Sequence, residues 1–148
     1  ELKPVMTIGI NRKEKVYAVN NAVISEKGIL GRIISLGLYQ AEVLLVEDPR
    51  SLIPVTSSSS RLHAILQGSG LGRLGNLKNI KKTANFEIGE KLYSSGLGGI
   101  FPTGYPIAKI ESIVDSPDNE FLNVKVSFLQ SPLNQDHFLV LRNFGSDE

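Results

Sequence analysis

The sequence predicts an all-β fold, a sandwich or a barrel of short antiparallel strands with little helix. Short apolar segments recur about every ten residues, and Gly, Pro, Asn, Asp or Ser residues separate them. No stretch sustains the 3.6-residue apolar period of an amphipathic helix. With 148 residues, the chain can bury a substantial core as one ordinary domain or as two small ones.

The strand candidates that precede residue 100 are short, rich in aliphatic residues and bounded by turn-forming residues. In chain order they span residues 7–10, 22–25, 29–35, 41–46, 52–56, 63–67 and 91–94. Residues 68–82 are rich in glycine and basic residues, so we predict an irregular segment there. Residues 80–86 are the candidate for helix, as a single turn.

The last third of the chain predicts a hairpin. After Phe121, apolar residues at 122, 124, 126 and 128 alternate with polar residues at 123, 125 and 127, which is the pattern of a half-buried strand. A similar alternation occupies 108–113, and the turn formers at 115–120 lie between the two segments. A final strand candidate lies at 138–141.

Four consecutive serines at 57–60 interrupt the apolar pattern. They are either an exposed hairpin loop or the join between two structural units. On the second interpretation, residues 1–60 form a first barrel and residues 61–148 a second. A strand near 138–142 is then a candidate to complete the first barrel.

Composition argues against several classes of function. The 16 basic and 15 acidic residues leave a net charge of +1, so no long-range field directs the chain to nucleic acid. The absence of cysteine excludes disulfides, thiolate metal sites and a cysteine nucleophile. With two histidines and no calcium-loop spacing of acids, we predict no metal and no cofactor. No apolar run approaches the roughly 20 residues needed to cross a bilayer.

One glycine motif resembles a nucleotide-binding loop. The segment Gly70-Leu-Gly-Arg-Leu-Gly75 matches G-x-G-x-x-G. A dinucleotide site needs a helix directly after the glycines, and residues 76–82 show no amphipathic turn. We therefore predict a glycine-rich hairpin loop at this position.

A serine hydrolase on a two-barrel scaffold is the catalytic alternative. Ser95 would be the nucleophile, His63 or His137 the base, and Asp48 the residue that orients it. No G-x-S-x-G elbow is present, and neither histidine lies in a recognisable signature. Because Ser95 is better explained as a turn residue that caps its own backbone, we predict no catalytic residue.

Residues 94–104 are the most constrained segment of the chain. Their sequence, Ser-Ser-Gly-Leu-Gly-Gly-Ile-Phe-Pro-Thr-Gly, sets four glycines and one proline around Ile100 and Phe101, which specifies one backbone path. We call this segment the shaped loop. Either Phe101 plugs one end of a barrel, or Ile100, Phe101 and Tyr105 contact a partner together with an unpaired edge strand. The plug is favoured, because burying an aromatic ring is worth a few kcal/mol.

Four segments, taken in order, resemble the MreC family of bacterial rod shape-determining proteins. They are GILGRII at 28–34, VLLVEDP at 43–49, HAILQG at 63–68 and GEKLYSSGLGGIFPTG at 89–104. Each is common alone, but their order and the shaped loop make the match specific. The signature positions are Gly28, Gly31, Asp48, Pro49, Gly68, Gly89, Ser95, Gly96, Gly98, Gly99, Phe101, Pro102 and Gly104. Glu90 and Ser94 depart from the usual aspartate and threonine of the family.

The resemblance implies two small β-barrels of trypsin-like topology at the periplasmic face of the bacterial inner membrane, with the single-pass membrane anchor outside this chain. It also implies a non-catalytic scaffold of the cell-elongation complex, which binds and activates or positions peptidoglycan synthases. The implied partners are the elongation-specific penicillin-binding transpeptidase, MreD and the MreB/RodA machinery, with self-association as a dimer or filament. A self-assembling filament module is the alternative function.

Overall fold

The structure is a computed structural model that describes residues 5–10, 17–26, 28–129 and 139–141. These residues form strands and no helix, which confirms the all-β prediction. None of them belongs to a helix long and apolar enough to span a membrane. The strands are β1 (Val5–Gly9), β2 (Ala22–Ser25), β3 (Gly28–Leu36), β4 (Gln40–Leu45), β5 (Leu52–Ser57), β6 (His63–Gln67), β7 (Gly75–Ile80), β8 (Lys91–Ser94), β9 (Pro106–Val114), β10 (Leu122–Phe128) and β11 (Leu139–Val140).

The first sheet contains five antiparallel strands in the order β1-β4-β3-β2-β11. One face covers a small apolar cluster, whose fully buried members are Val23, Ile33, Ala41, Val43 and Leu45. The described part of the strand predicted near 138–142, Leu139–Val140 of β11, pairs with β2 in the first sheet. Over the described residues this sheet is open, with β1 and β11 at its edges.

The second sheet is a closed barrel of six antiparallel strands in the order β10-β7-β6-β5-β8-β9. Closure removes free strand edges from this part of the molecule. Alternate residues of most of these strands point inward and fill the barrel. The most deeply buried of them are Ile53, Val55, Leu66, Leu92, Ala108, Ile110, Val124 and Val126.

The two sheets share one core. Ala22, Ile24 and Ile29 of the first sheet belong to the same buried cluster as the barrel interior. The two units also touch directly near Gly28, where a Cβ would collide with the Pro106 carbonyl group of β9. A side chain at this position would push the first sheet away from the barrel.

The alternation predicted over residues 122–128 is confirmed. Leu122, Val124 and Val126 are buried, whereas Asn123 is exposed on the other face of β10. This strand pairs with β9, as the predicted hairpin requires.

Strand β7 occupies residues for which the sequence predicted an irregular segment and a helical turn. Leu77 and Ile80 are both buried although they are three positions apart, because the register with β10 shifts between them and leaves Lys78 and Asn79 exposed. Asn79 has a φ of 56°, in the left-handed region. This bulge breaks the period of two, so the predicted helical turn at 80–86 is wrong: Ile80 ends the strand, and no helix follows within the described residues.

The four serines lie in the β5–β6 hairpin. The Ser57 hydroxyl lies 2.7 Å from the Ser60 hydroxyl and accepts a hydrogen bond of 2.9 Å from the Leu62 N–H. Since β5 belongs to the closed barrel, the chain changes sheet between β4 and β5, at residues 46–51. This is a correction to the division into 1–60 and 61–148, which placed the change after the serines.

Candidate functional site

The shaped loop leaves β8 and returns to β9 through a closed set of hydrogen bonds. The Ser94 N–H donates to the Tyr105 carbonyl and the Gly104 N–H to the Ser94 carbonyl, both at 2.8 Å. The buried Ser94 hydroxyl donates to the Pro102 carbonyl and accepts from the Tyr105 N–H at 2.9 Å. Because Ser94, where the loop begins, is hydrogen-bonded to Pro102, Gly104 and Tyr105, where it ends, the loop has one well-defined path.

Gly96 shows why this path needs glycine. Its φ is 81°, in the left-handed region, and a Cβ there would collide with the Thr103 hydroxyl. The Ser95 hydroxyl accepts a hydrogen bond of 3.3 Å from the Leu97 N–H, which confirms the predicted turn cap.

The apolar residues of the shaped loop divide into a buried and an exposed set. Phe101 is only 7% exposed and belongs to the main core, while Ile100 and Tyr105 are half-buried and pack against that core. Phe101 therefore lies in the core, as the plug interpretation predicts. Leu97 is 60% exposed at the tip, a position that sequence reasoning did not single out. The sequence feature that could have indicated this exposure is the position of Leu97 between two turn glycines, because a side chain there has no partner inside the loop.

Other signature residues hold backbone segments close together. A Cβ on Gly31 would collide with the Leu44 carbonyl of the neighbouring strand, and one on Gly68 would collide with the backbone of Glu47 and Asp48. These glycines fix distances between chain segments. They carry no reactive group.

Asp48 closes the turn between β4 and β5. Its carboxylate accepts hydrogen bonds from the Arg50 backbone N–H at 2.7 Å and from the Arg50 guanidinium at 2.8 and 3.0 Å. The guanidinium lowers the pKa of Asp48, against the opposing effect of desolvation. The carbonyl of Pro49, next along the turn, accepts a hydrogen bond of 2.7 Å from the Gln67 side-chain amide.

Two glutamates are buried, and no ion pair within the described residues includes either of them. Glu90 accepts hydrogen bonds from the N–H groups of Ser59, Ser60 and Glu87 at 2.8, 2.7 and 3.0 Å, and from the Ser60 hydroxyl at 2.9 Å. Desolvation alone would raise the pKa of Glu90, but these donors together hold it below its ordinary value. The carboxylate thereby fastens the serine turn to the start of β8.

The Glu47 carboxylate accepts fewer hydrogen bonds than the Glu90 carboxylate. Its carboxylate accepts a hydrogen bond from the Gly72 N–H at 2.9 Å, and its carbonyl accepts one from the Gly70 N–H at 2.8 Å. Burial raises the pKa of Glu47, and the single bond to the carboxylate offsets this only in part. The same β6–β7 loop sends Leu71 against the core of the first sheet, so Glu47 lies where the two sheets meet.

The structure does not bring the imagined catalytic residues together. His63 Nδ1 lies 3.2 Å from the Thr56 hydroxyl, Asp48 binds Arg50, and Ser95 caps its own turn. His137 lies outside the described residues. Within those residues, no group of three or more His, Cys, Asp or Glu side chains could hold a metal ion.

Residues 70–74 of the glycine motif lie in the β6–β7 loop, and Gly75 is the first residue of β7. Strand β7 begins at Gly75, so the segment that follows the motif is a strand and not the helix that a dinucleotide site needs. The prediction of a hairpin loop at this position is confirmed.

The outward face of β5, β6 and β8 carries an apolar surface that the sequence did not reveal. We call Leu52, Pro54, Ile65 and Tyr93 the outer patch; Leu52 is 52% and Ile65 38% exposed, and the other two are half-buried. Pro54 lies directly opposite Ile65, whereas Tyr93 lies opposite Thr56, one diagonal step from Pro54. Diagonal neighbours lie within reach of an aromatic ring. The four side chains therefore form one surface on the wall of the closed barrel.

Comparison with known proteins gives a consistent result. The family model described as rod shape-determining protein MreC, barrel core, matches residues 3–142. The chain is 37% identical over 120 residues to the cell shape-determining protein MreC of Haemophilus influenzae, which covers 81% of this chain and 34% of that protein. The crystal structure of MreC from Pseudomonas aeruginosa is similar with a TM-score of 0.84 at 29% identity, over 94% of this chain and 88% of that one. The chain spans about a third of the length of the curated relative.

Two more distant structures share the fold. One is a complex between a penicillin-binding protein and MreC from Helicobacter pylori, with a TM-score of 0.67 at 18% identity over 84% of this chain and 78% of that one. The other is described as the major periplasmic domain of the cell shape-determining filament MreC, with a TM-score of 0.72 at 16% identity over 97% and 99%. At these identities the likeness shows the fold alone.

Proposed function

The chain belongs to the MreC family of rod shape-determining proteins, and from that premise we propose that it is a non-catalytic scaffold which binds a peptidoglycan synthase. The proposed location is the periplasmic face of the bacterial inner membrane. The proposed partner is the elongation-specific penicillin-binding transpeptidase. MreD and the MreB/RodA machinery are further proposed partners of the whole protein.

The outer patch is the observation that carries this proposal. Its four apolar side chains come from three strands of a closed barrel, and the strand pairing fixes their relative positions. A backbone whose strands are already paired before binding loses little conformational entropy on association. An apolar surface of this kind, on a wall without free edges, suits recognition of a protein partner.

The absence of an assembled reactive group, among the residues described, supports a non-catalytic role. The hydroxyl, imidazole and carboxylate considered for catalysis each have other partners. A scaffold needs only binding energy. If it binds the active conformation of the synthase better by about 1.4 kcal/mol, the population of that conformation rises tenfold relative to the other.

In the Helicobacter pylori complex, an MreC protein binds a penicillin-binding protein, which supports the same class of partner here. The experiment is titration of this chain against the periplasmic part of the elongation-specific transpeptidase, followed by cross-link mapping. We expect saturable binding, with cross-links on the outward residues of β5, β6 and β8. Cross-links confined to the first sheet would contradict the assignment of the surface, and absence of binding would contradict the proposed function.

Self-assembly into a filament is the second candidate. In the described part of the chain, β1 pairs with β4 alone and β11 with β2 alone, so each edge of the first sheet has one unpaired side. Such edges can pair with another chain. Sedimentation at rising concentration tests this: growth of the particle would support assembly, and a strict monomer would argue against it for this chain.

A further inference from the structure

The β6–β7 loop, residues 68–74, is held against the join between the two sheets by two hydrogen bonds to Glu47. The Glu47 carbonyl accepts one of 2.8 Å from the Gly70 N–H, and the Glu47 carboxylate accepts one of 2.9 Å from the Gly72 N–H. Leu71 lies between these two glycines and packs against the core of the first sheet. Glu47 therefore holds the chain on both sides of the residue that joins this loop to the first sheet.

The two hydrogen bonds respond differently to pH. The bond from Gly70 ends on a backbone carbonyl, which does not titrate, whereas the bond from Gly72 ends on a carboxylate. Glu47 is only 4% exposed, and the Gly72 N–H is the one donor to its carboxylate in the described part of the chain. Burial therefore raises the pKa of Glu47, because a single hydrogen bond offsets only part of the lost hydration.

The charged and titratable groups on the neighbouring elements do not pair with Glu47. They are Arg73 on the loop itself, Asp48 and Arg50 on the connection between the sheets, Tyr17, Glu26, Arg32 and Glu42 in the first sheet and its connections, and His63 and Lys78 on β6 and β7. Within the described residues, no ion pair includes Glu47. Asp48 is bound to Arg50, and the exposed Arg73 side chain lies beside Gly70. The cost of ionising Glu47 is thus set by burial and not by a neighbouring charge.

The two ends of the loop differ in their freedom to move. Gly68 is buried, and a Cβ there would collide with the backbone of Glu47 and Asp48. Gly72 is exposed, has a φ of 75° and has open space where a Cβ would lie. Exposed segments with few packing contacts open locally at much lower cost than a core strand. Opening of the loop should therefore begin at Gly72 and leave Gly68 in place.

We propose that Glu47 acts as a pH-operated latch: its neutral carboxyl keeps the β6–β7 loop closed on the first sheet, and its ionisation releases Gly72 and Leu71. This inference goes beyond the proposed function, since it concerns the join between the two sheets and not the partner of the barrel.

The direction of the effect follows from where the charge lies in each state. In the closed loop the ionised carboxylate is buried, whereas in the open loop water can hydrate it. A proton shifts the balance only through this difference between the two states. Because the pKa of Glu47 is raised in the closed state, closure is strongest below the ordinary pKa of a glutamate and weakens as pH rises through the closed-state pKa.

The test measures amide hydrogen exchange at Gly72 by NMR in the unaltered chain and in Glu47→Gln, from about pH 4 to about pH 8. The glutamine cannot ionise, and its amide oxygen can still accept from the Gly72 N–H. Taking the ratio of the two rates at each pH removes the intrinsic pH dependence of exchange. Glu87→Gln, which changes an exposed glutamate in the segment before β8, is the matched control.

We expect the exchange rate of the unaltered chain, divided by that of Glu47→Gln, to be near one at the acid end. The ratio should rise with pH and reach at least about threefold at the alkaline end. Glu87→Gln should exchange like the unaltered chain at every pH. Leu71→Ser, which removes the apolar contact of the loop, should exchange faster at Gly72 throughout the range.

Equal exchange in the unaltered chain and Glu47→Gln at every pH would overturn the latch. Slower exchange in the unaltered chain at high pH would also overturn it, because the ionised carboxylate would then hold the loop closed. An equal change in Glu87→Gln would show a general effect of charge, and unaffected exchange in Leu71→Ser would show that the apolar contact does not hold the loop. Either of these results overturns the proposal, and none of them bears on binding of the transpeptidase.

Discussion

The shaped loop and the outer patch lie next to each other on the barrel, but the main apolar residue of the loop is buried whereas those of the patch are exposed or half-buried. The loop continues directly from β8 and turns Phe101 into the core, where 7% of it is exposed. The patch leaves Leu52 at 52% exposure on the opposite side of the same wall. The segment with the most distinctive sequence thus contributes to the core, whereas the surface proposed for binding has no distinctive sequence.

This difference has a physical reason. The loop must satisfy its own backbone hydrogen bonds and seat an aromatic ring, so its glycines and Ser94 are dictated by geometry. An exposed apolar residue neither completes a backbone hydrogen bond nor fills the core, so local geometry does not dictate its identity. Stability and binding should therefore respond to different substitutions, which the following predictions test in order of decreasing effect.

The largest effect is expected for Phe101→Ser. It removes a buried ring and leaves a cavity with a hydroxyl inside it, so the free energy of unfolding should fall by about 3 kcal/mol or more. The measurement is urea unfolding followed by circular dichroism. Leu97→Ser, at the exposed tip of the same loop, is the control and should change stability by less than about 0.5 kcal/mol. Unaltered stability of Phe101→Ser would show that the ring does not plug the barrel.

Glu90→Ala should come next. The change leaves the backbone N–H groups of Ser59 and Ser60 in the serine turn, and that of Glu87 before β8, without their acceptor. We expect the free energy of unfolding to fall by about 2 kcal/mol in thermal or urea unfolding. Glu87→Ala removes an exposed neighbouring carboxylate and is the control. An equal loss in both variants would indicate a general charge effect instead of the hydrogen bonds.

The pH dependence of stability separates the two buried glutamates. The pKa of Glu90 is lowered on folding, so its contribution is present above its unfolded pKa and is lost as pH falls through the folded pKa. The pKa of Glu47 is raised, so its contribution is greatest below its unfolded pKa and is lost as pH rises through the folded pKa. The difference in unfolding free energy between the unaltered chain and Glu90→Ala should shrink as the pH is lowered. A constant difference from pH 7 down to the acid range would contradict the role of the Glu90 carboxylate.

Glu47→Gln should change the free energy of unfolding least, and any change should be stabilising. The amide oxygen can still accept from the Gly72 N–H, and no charge has to be buried. We expect the variant to be as stable as the unaltered chain or more stable by up to about 1 kcal/mol at pH 7. A loss comparable to that of Glu90→Ala would show that the ionised Glu47 carboxylate holds the two sheets together.

Much of the fold could be predicted because its signals are local. The alternation over 122–128 indicated β10, and the composition of 94–104 indicated a loop with one path and a buried Phe101. Strand β7 could not be predicted, since the bulge at Lys78 and Asn79 hides its period. The division between the sheets was misplaced because a serine turn inside a hairpin has the composition of a linker.

The outer patch could not be predicted from the sequence. Its residues come from positions 52, 54, 65 and 93, and only the pairing of β5 with β6 and β8 brings them together. Each residue alone is an ordinary outward position of a strand, and single exposed apolar residues are normal in any protein. Strand register decides which residues come together in the patch, and the alternation of apolar residues along one strand does not specify that register.

The most direct test measures melting temperature and transpeptidase affinity on the same samples of Ile65→Ser, Phe101→Ser and the control Ile88→Ser, an exposed residue in the segment before β8. We predict that Ile65→Ser raises Kd at least about tenfold with little change in melting, and that Ile88→Ser changes neither. Phe101→Ser should lower the melting temperature while its folded fraction keeps its affinity. If Phe101→Ser instead loses affinity without losing stability, or Ile65→Ser binds normally, the separation of a stabilising loop from a binding patch is contradicted.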